Sequence, residues 1–272
     1  MRIVITGAGG QVGRELSAAL PDAVALDHAS LDVSSLPAVE DMVETCKPDA
    51  IVHCAAYTDV DGCETNQEHA MRVNGLGPSN LARATDAHIV CLSTDYVFDG
   101  TKSSPYVESD EPNPTSVYGR SKRAGERALD LDRCAVVRAS LVCGTYGHNL
   151  VKTIIRLLGG DAPLRFVTDQ HTHPTIVADL VPALIRTVDE RRTGIWHVTN
   201  QGTVSMFEFA CAVAAAAGHD PARVEPALTA DLPPRPAPRP QNAVLDSERL
   251  RADELLPDFR NSLPALLANL RD

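Results

Sequence analysis

Short apolar segments alternate with amphipathic ones along the first half of the chain. Apolar runs of strand length occur at 2–6, 23–27, 50–54, 88–93 and 134–138, and apolar residues recur at helical spacing between them. Regular alternation of strand and helix predicts a parallel sheet. Strands that are apolar at nearly every position, such as 50–54, are typical of a sheet covered by helices on both faces. We therefore predict an α/β fold with a doubly wound parallel sheet.

The alternation loosens after about residue 142. Helices are expected near 148–158, 176–190, 205–217 and 262–270, with loops and short strands between them. We expect residues 1–142, with elements returning at about 176–200, to form the sheet domain. Residues 143–175 and 201–272 are expected to form a smaller, interleaved C-terminal substrate lobe. The proline-rich stretch 232–240 should run extended across a surface.

Composition and charge narrow the classes of function. The 272 residues are 44% hydrophobic, enough for a sizeable core, and 25 Lys plus Arg stand against 36 Asp plus Glu, a net charge of -11. This balance argues against nucleic-acid and membrane partners. Seven cysteines without a C-x-x-C pair suggest a reduced compartment. With a strand beginning at residue 2 and no apolar run near ~20 residues, we expect a cytoplasmic protein.

A glycine turn follows the first predicted strand. Gly7, Gly10 and Gly13 surround Gln11 and Val12 and lead into an amphipathic segment. Glycines in this context allow a tight turn, close approach of backbone amides to a pyrophosphate and close helix–strand packing. The spacing is G-x-x-G-x-x-G rather than G-x-G-x-x-G, and an ordinary glycine-rich turn is the alternative. We interpret the turn as the dinucleotide site of a Rossmann-type sheet.

The end of the second predicted strand carries an acidic residue. Asp27 lies 20 residues after Gly7, where a carboxylate accepts hydrogen bonds from the ribose 2′-hydroxyl. This placement favours NADH over NADPH, although Asp27 has the alternative of capping a turn. Asp32 and Val33 are weaker candidates for the rim of the adenine site.

Small or hydroxyl-bearing residues follow the third and fourth predicted strands. Ala55, Ala56 and Tyr57 come after 50–54, and Thr94 comes after 88–93. Both positions lie at carboxyl ends of parallel strands, where doubly wound sheets bind ligands. We expect the alanines to leave room for a nicotinamide ribose and Thr94 to reach the same pocket.

Tyr118 and Lys122 stand four residues apart. Four residues of helix return to the same face, so the phenol and the ammonium can serve one site. A phenol ionises near pH ~10, and a neighbouring cation lowers that pKa. The pair indicates a dehydrogenase in which Tyr118 exchanges a proton, and the alternative is a half-exposed aromatic beside a solvated lysine.

These residues resemble the extended short-chain dehydrogenase/reductases and, within them, the dTDP-4-dehydrorhamnose reductases. The resemblance extends over nearly the whole chain and includes Ala55-Ala56-Tyr57-Thr58, Val73-Asn74, Ser93 to Gly100, Pro105-Tyr106 with Glu108 and Asp110, Tyr118-Gly119, Ser121-Lys122, Gly125-Glu126, Asp169-Gln170, Pro174-Thr175 and Arg239-Pro240. It implies that Thr94, Tyr118 and Lys122 are catalytic and that Asp95 contacts the sugar. It also implies NADPH or NADH as cofactor, contacted by Gly7, Gly10, Gln11, Val12, Gly13, Asp27, Ala55, Ala56, Tyr57, Tyr118 and Lys122.

Departures from that family concern the substrate. Leu141 stands where the family usually has a tryptophan that packs on the sugar. His171 and His173 alternate like metal ligands, but no third ligand is evident, so we predict a polar loop and no metal. Arg235 and Arg239 lie in the proline-rich stretch, where they would either clamp a diphosphate or form a solvated linker.

The leading hypothesis is an NAD(P)H-dependent reductase of the 4-keto group of a dTDP-activated deoxysugar in dTDP-rhamnose biosynthesis. A homodimer is left open. Three alternatives remain: an epimerase or dehydratase of nucleotide sugars, a reductase of a non-nucleotide ketone, and a non-catalytic NADP-binding regulatory subunit similar to the β subunit of methionine adenosyltransferase.

Overall fold

The computed structural model describes residues 1–160 and 162–270. Its strands are β1 (Ile3–Thr6), β2 (Val24–Leu26), β3 (Ala50–His53), β4 (His88–Thr94), β5 (Ala135–Ala139), β6 (Val142–Cys143), β7 (Leu164–Val167), β8 (His171–Thr172), β9 (Thr175–Ile176), β10 (Gly194–His197), β11 (Asn200–Gln201), β12 (Val204–Ser205), β13 (Val224–Ala227), β14 (Asn242–Ala243) and β15 (Leu256–Asp258).

Its α-helices are α1 (Gln11–Ala19), α2 (Leu36–Cys46), α3 (Val60–Thr65), α4 (Gln67–Ala70), α5 (Gly77–Ala84), α6 (Val117–Arg127), α7 (Leu150–Leu158), α8 (Val177–Asp189), α9 (Met206–Ala216) and α10 (Phe259–Ala268). A π-helical segment, Met71–Leu76, joins α4 to α5, and 3-10 turns occur at Asp95–Val97, Pro221–Arg223 and Thr229–Asp231.

Six parallel strands form the central sheet in the order β10-β5-β4-β3-β1-β2. The chain passes from β1 outward to β2 and then returns to the other side of β1 to form β3. The strand order therefore reverses between β1 and β3, and a crevice is expected at the carboxyl ends of these two strands. The predicted doubly wound parallel sheet is confirmed.

Helices cover both faces of the sheet, which explains the continuous apolar runs. Successive strand residues point to opposite faces. Ile51 and Ile89 belong to the core that contains residues of α2 and α5, whereas Val52 and Val90 belong to the core that contains residues of α1 and α8. All four side chains are buried.

A second core joins the helices of the C-terminal part of the chain. Ile154 of α7, Phe209 of α9 and Phe259 of α10 are all buried within it, and the short strands β7 and β13 pair in parallel beside it. The helices α7 to α10 lie within three residues of their predicted positions at either end. The chain also returns to the central sheet, because β10 pairs with β5. The predicted domain boundaries stay a prediction.

The proline-rich stretch 232–240 forms no helix or strand. Pro233 and Pro234 are exposed, but Ala237 is buried and its N–H donates to a carboxyl oxygen of Asp61 in α3 at 3.1 Å. The stretch thus crosses from the C-terminal elements to a helix that follows β3. None of the described helices is both long and apolar enough to cross a bilayer.

Candidate active site

A cavity of about 780 Å³ opens at the carboxyl ends of β1, β3 and β4. This volume lies within the range of small-molecule and cofactor sites. It brings together most of the residues predicted from the sequence, namely Gly7, Gly10, Gln11, Val12, Gly13, Ala56, Thr94, Asp95, Tyr118, Lys122, Leu141 and Arg239. A second cavity of about 790 Å³ adjoins it and shares Tyr96, Leu141 and Arg239 with it.

The glycine turn is tight enough to exclude side chains. Gly7 has a φ of +73°, and a Cβ on it would lie 2.5 Å from the backbone nitrogen of Ala55. A Cβ on Gly13 would lie 2.2 Å from the carbonyl oxygen of Gly7. Backbone amides and the N-terminus of α1 therefore border the cavity with no intervening side chain at these two positions. This arrangement fits a pyrophosphate group.

Gln11 connects the turn to the C-terminal part of the chain. Its Oε1 accepts hydrogen bonds from the N–H of Gly144 at 2.9 Å and from Nδ2 of Asn149 at 3.0 Å. Asn149 also caps α7, because its Oδ1 accepts from the N–H of Lys152. Asn149 lines the cavity but was not among the predicted site residues. A polar residue just before an apolar helical run was the available signal.

The three predicted catalytic residues meet in the cavity. Thr94 ends β4, and Tyr118 and Lys122 lie in the first two turns of α6, which Ser116 caps by accepting from the N–H of Gly119. Thr94, Tyr118 and Lys122 are 5%, 9% and 5% exposed, so the pair on α6 is not the solvated surface pair that was the alternative.

The surroundings of Tyr118 differ from the prediction. Burial raises the pKa of its phenol above the ordinary value, and a hydrogen bond with Thr94 only partly opposes this shift. Lys122 was expected to lower this pKa, but its Nζ donates to the carbonyl oxygen of Leu92 at 2.8 Å. That expectation is not met in this arrangement, since burial is the dominant effect and the phenol pKa is raised. The phenol is already protonated at neutral pH at its ordinary pKa, and the raised pKa makes it a weaker acid than the sequence predicts.

Helix α6 approaches the end of β4 through a glycine. A Cβ on Gly119 would lie 2.1 Å from the carbonyl oxygen of Tyr96. The backbone of the helix therefore touches the backbone of the turn that follows Thr94. The ring of Tyr96 also packs edge-on against Tyr118, with 5.6 Å between centroids.

Asp95 is a buried carboxyl group on the cavity wall. It is 4% exposed, and its Oδ1 accepts from the hydroxyl of Thr94 at 2.9 Å. Burial raises the pKa of Asp95 to about 7, against the lowering effect of its hydrogen bonds. A carboxyl group with a pKa this close to neutral is a marker of functional sites.

Five predicted cofactor residues do not line the cavity: Asp27, Asp32, Val33, Ala55 and Tyr57. Asp27 directly follows β2 and lies beside the turn, since a Cβ on Gly9 would be 3.5 Å from its Cβ. Its Oδ1 accepts from the N–H groups of Ala29 and Ser30 and from the Ser30 hydroxyl, which lower its pKa. Asp27 therefore caps a turn, and its Oδ2 makes none of these hydrogen bonds.

The other four of these residues make contacts within the protein. Asp32 accepts from the N–H and hydroxyl of Ser34, and Val33 is buried in the core. Ala55 touches Gly7, and the N–H of Tyr57 donates to Asn74 Oδ1 at 2.8 Å. Their contact with a cofactor stays a prediction.

Leu141 has an unusual backbone conformation. It directly follows Ser140 at the end of β5, its φ is +41°, and it contributes to the walls of both cavities. A bulky residue in the left-handed region is a conformational outlier, and such outliers cluster at functional sites. Leu141 therefore lies where the two cavities join.

The two arginines of the proline-rich stretch differ in their surroundings. Arg235 is exposed and lines the second cavity. Arg239 is only 12% exposed in its side chain and forms a bidentate ion pair with Asp61, at 3.0 and 2.9 Å. Arg239 is therefore not a solvated linker residue. In this arrangement its guanidinium is paired with a carboxylate.

His173 and His171 do not share a site. His173 is buried, with Nδ1 2.9 Å from the carbonyl oxygen of Leu245 and Nε2 2.7 Å from the hydroxyl of Thr203. His171 is exposed in β8. Among residues 1–160 and 162–270, no group of three or more His, Cys, Asp or Glu is placed to hold a metal ion.

A buried charged network beneath the cavity was not foreseen. Nε and Nη2 of Arg138 donate to both carboxyl oxygens of Glu126, at 2.9 and 2.8 Å. The hydroxyl of Ser93 donates to the same carboxylate at 2.6 Å. Glu126 lies one turn after Lys122, and Ser93 precedes Thr94. The signal was a lone arginine inside the apolar run 134–138, because a buried charge needs a partner.

A family model for the RmlD substrate binding domain matches residues 1–272. The chain belongs to this family. A dTDP-4-dehydrorhamnose reductase of Mycolicibacterium smegmatis is 42% identical to it over 281 residues, which cover 98% of this chain and 85% of that protein.

Solved structures related to the RmlD family agree closely with the fold. A dTDP-4-dehydrorhamnose reductase of Clostridium acetobutylicum superposes with a TM-score of 0.94 at 36% identity, covering 98% of this chain and 99% of that one. A dTDP-4-dehydrorhamnose reductase of Bacillus anthracis in complex with NADP has a TM-score of 0.92 at 34% identity, covering 98% of both chains. The family predicted from the sequence motifs is confirmed.

Proposed function

We propose that this protein is an NAD(P)H-dependent oxidoreductase that reduces the 4-keto group of a dTDP-activated deoxysugar, with dTDP-4-dehydrorhamnose as the first substrate to test. The observation that carries the proposal is the placement of Tyr118 and Thr94 on the wall of the cavity that the glycine turn borders. The near-full-length similarity to a dTDP-4-dehydrorhamnose reductase supports the same substrate class.

The chain supplies binding and proton chemistry. When bound, a reduced nicotinamide cofactor supplies the hydride that reaches the ketone carbon. Gly7, Gly13 and the N-terminus of α1 would hold the pyrophosphate. Lys122 would hold the nicotinamide ribose through N–H groups of Nζ other than the one that donates to the carbonyl oxygen of Leu92. Tyr118 would donate a proton to the ketone oxygen as negative charge develops there, and Thr94 would orient that carbonyl.

The adjoining cavity is a candidate site for the nucleotide part of the substrate. Arg235 and Arg239 line it, and guanidinium groups bind phosphates in a bidentate manner. Leu141 lies between the two cavities, where the sugar would have to sit. Because an aliphatic side chain stands there in place of an indole, other dTDP-4-keto-6-deoxysugars are to be tested beside dTDP-4-dehydrorhamnose. A cytoplasmic location and a homodimer stay predictions.

One assay tests the function. The purified protein should oxidise NADPH or NADH when a dTDP-4-keto-6-deoxysugar is added. No oxidation with any such sugar would contradict the proposal, and oxidation only with ketones that lack the nucleotide would assign a different substrate class.

Tyr118→Phe tests the proton donor. We expect the variant to lose about 10²–10⁴-fold in kcat, the usual contribution of a placed acid, while it still binds the cofactor in a fluorescence titration. Tyr146→Phe is the matched control, because Tyr146 lies outside the cavity wall. Near-native turnover by Tyr118→Phe would show that another group donates the proton.

A further inference from the structure

The second cavity has a positively charged wall. Its described lining residues include no aspartate or glutamate and four arginines, namely Arg156, Arg165, Arg235 and Arg239. Positive charge gathered in a cleft of an otherwise acidic protein attracts an anionic ligand. Of these four arginines, only Arg239 also lines the first cavity, where Thr94 and Tyr118 lie. Arg239 therefore lies at the junction of the two cavities.

The guanidinium of Arg239 uses three of its five N–H groups within the protein. Nη1 donates to Oδ1 of Asp61 at 3.0 Å and to the carbonyl oxygen of Ala237 at 2.9 Å, and Nη2 donates to Oδ2 of Asp61 at 2.9 Å. The N–H of Nε and the second N–H of Nη2 have no hydrogen-bond partner in the part of the chain that the structure describes. These two N–H groups lie on the same edge of the planar guanidinium, here called the open edge. Asp61 thus fixes one edge of Arg239 and leaves the open edge for a ligand.

The open edge is accessible although most of the Arg239 side chain is enclosed. The side chain is 12% exposed. Among the described residues, the enclosed side-chain atoms that lack a hydrogen-bond partner are Nε2 of His53 and Nδ1 of His88. Nε of Arg239 is not one of them, so it borders accessible space, and the side chain forms part of both cavity walls. Two parallel N–H groups of a guanidinium match two oxygens of one phosphate.

A single aromatic ring separates Arg239 from the proton donor. The ring centroid of Tyr96 lies 6.0 Å from Cζ of Arg239 and 5.6 Å from the ring centroid of Tyr118. In a 4-keto pyranose, the ketone carbon and the anomeric carbon occupy opposite positions of one ring. A sugar whose ketone reaches Tyr118 would therefore place a phosphate on its anomeric oxygen near Arg239.

We propose, on the basis of the proposed function, that the open edge of Arg239 binds the phosphate on the anomeric carbon and thereby selects C4 of the sugar for reduction. Arg239 is then a specificity-determining residue, because the distance between this phosphate and Tyr118 decides which ring carbon receives hydride. Asp61 acts through Arg239 and is a positioning residue. It stays paired with the guanidinium in the complex and fixes the direction of the open edge.

Calorimetry with thymidine monophosphate and thymidine diphosphate tests this contact without turnover. The terminal phosphate of the diphosphate corresponds to the phosphate that carries the sugar. We expect the wild type to bind the diphosphate about tenfold more tightly than the monophosphate, and Arg239→Ala to lose most of this preference. Arg239→Lys should lose it too, because an ammonium has no second edge to present. Arg260→Ala is the matched control, since Arg260 also pairs with an aspartate, Asp258 at 2.9 Å, but lines neither cavity.

Two further measurements test the positioning role and the choice of carbon. In Asp61→Asn, the amide oxygen can accept from one N–H of Arg239, but the NH₂ group would face another donor, so the diphosphate preference should fall by about threefold or more. The wild type should reduce a dTDP-4-keto-6-deoxysugar in preference to its 3-keto isomer. Arg239→Ala should lower this ratio of kcat/KM values by about tenfold, which a purely structural role of Arg239 would not do.

Several results would overturn the inference. Equal affinity of the wild type for the two nucleotides would do so whether or not the variants fold. A full diphosphate preference in Arg239→Lys would assign the preference to charge alone, and tighter diphosphate binding by Asp61→Asn would show that Asp61 competes with the ligand. If no keto sugar is turned over, the proposed function fails while the binding comparison still tests Arg239. If the sugar is turned over and Arg239→Ala keeps the preference, only the inference fails.

Discussion

Arg138 provides a direct test of the buried network. Its side chain has no exposed surface, and its guanidinium donates to both oxygens of Glu126 and contacts His197 at 3.3 Å. Arg138→Met would preserve most of the aliphatic stem and remove the charge. Glu126, whose side chain is 1% exposed, would then keep only the hydroxyl of Ser93 and one bond from Arg123 at 3.0 Å.

The expected loss of stability follows from the uncompensated carboxylate. Removing one partner of a buried ion pair costs about 3–5 kcal/mol, and the remaining contact with Arg123 places the loss near ~3 kcal/mol. In the wild type, burial raises the pKa of Glu126, but the hydrogen bonds and charge of Arg138 outweigh it, so the pKa is lowered. The stabilisation by ionised Glu126 is fully present above the pKa that this carboxyl group has in the unfolded chain. It is lost as pH falls through the lower pKa that the group has in the folded protein. In the variant, burial dominates, so its deficit should shrink as the carboxyl group becomes protonated.

Urea unfolding at neutral and acid pH measures this loss. Arg251→Met is the matched control, because the side chain of Arg251 is 71% exposed and a surface ion pair contributes about 0–1 kcal/mol. The double variant Arg138→Met with Glu126→Leu should recover most of the loss, since an apolar pair of similar size tolerates burial. A loss below about 1 kcal/mol in the single variant, or no recovery in the double variant, would refute this account of the network.

Two further predictions concern ligands. The carboxylate of Asp27 should repel a 2′-phosphate, so the wild type should not strongly prefer NADPH. Asp27→Ala should raise the kcat/KM ratio of NADPH to NADH by about tenfold. A strong NADPH preference of the wild type would contradict this. If the proline-rich stretch clamps a diphosphate, Arg235→Ala and Arg239→Ala should each weaken thymidine diphosphate binding by about tenfold or more in calorimetry. Unchanged affinity in both would leave the stretch with a purely structural role.

The sequence predicts the sheet and the cavity well because their signals are local. The alternation of apolar runs with helical periods requires no knowledge of distant contacts, and Gly7 and Gly13 lie within one turn. Tyr118 and Lys122 share a face of α6 by helical geometry alone. Residues at carboxyl ends of neighbouring parallel strands meet once the strand order is known.

Contacts between distant residues and the direction of flexible side chains were not predicted. Arg239 pairs with Asp61, which lies 178 residues away, and no periodic pattern links the two. The ammonium of Lys122 has four rotatable bonds in its stem, and the backbone oxygen that it contacts belongs to another element. Asp27 directly follows β2, as predicted, and it also caps a turn. Its position in the sequence allowed both a ribose-binding role and a turn-capping role.

The contact at Gly119 has a consequence for how this scaffold can change. The separation between helix α6 and the turn after β4 is set by main chain against main chain, with no room for a methyl group between them. Replacing residues of the neighbouring cores or of the substrate cavity does not change this backbone contact. The proton-donating residues can therefore keep their positions while the residues that line the cavity are substituted to accept other ketones.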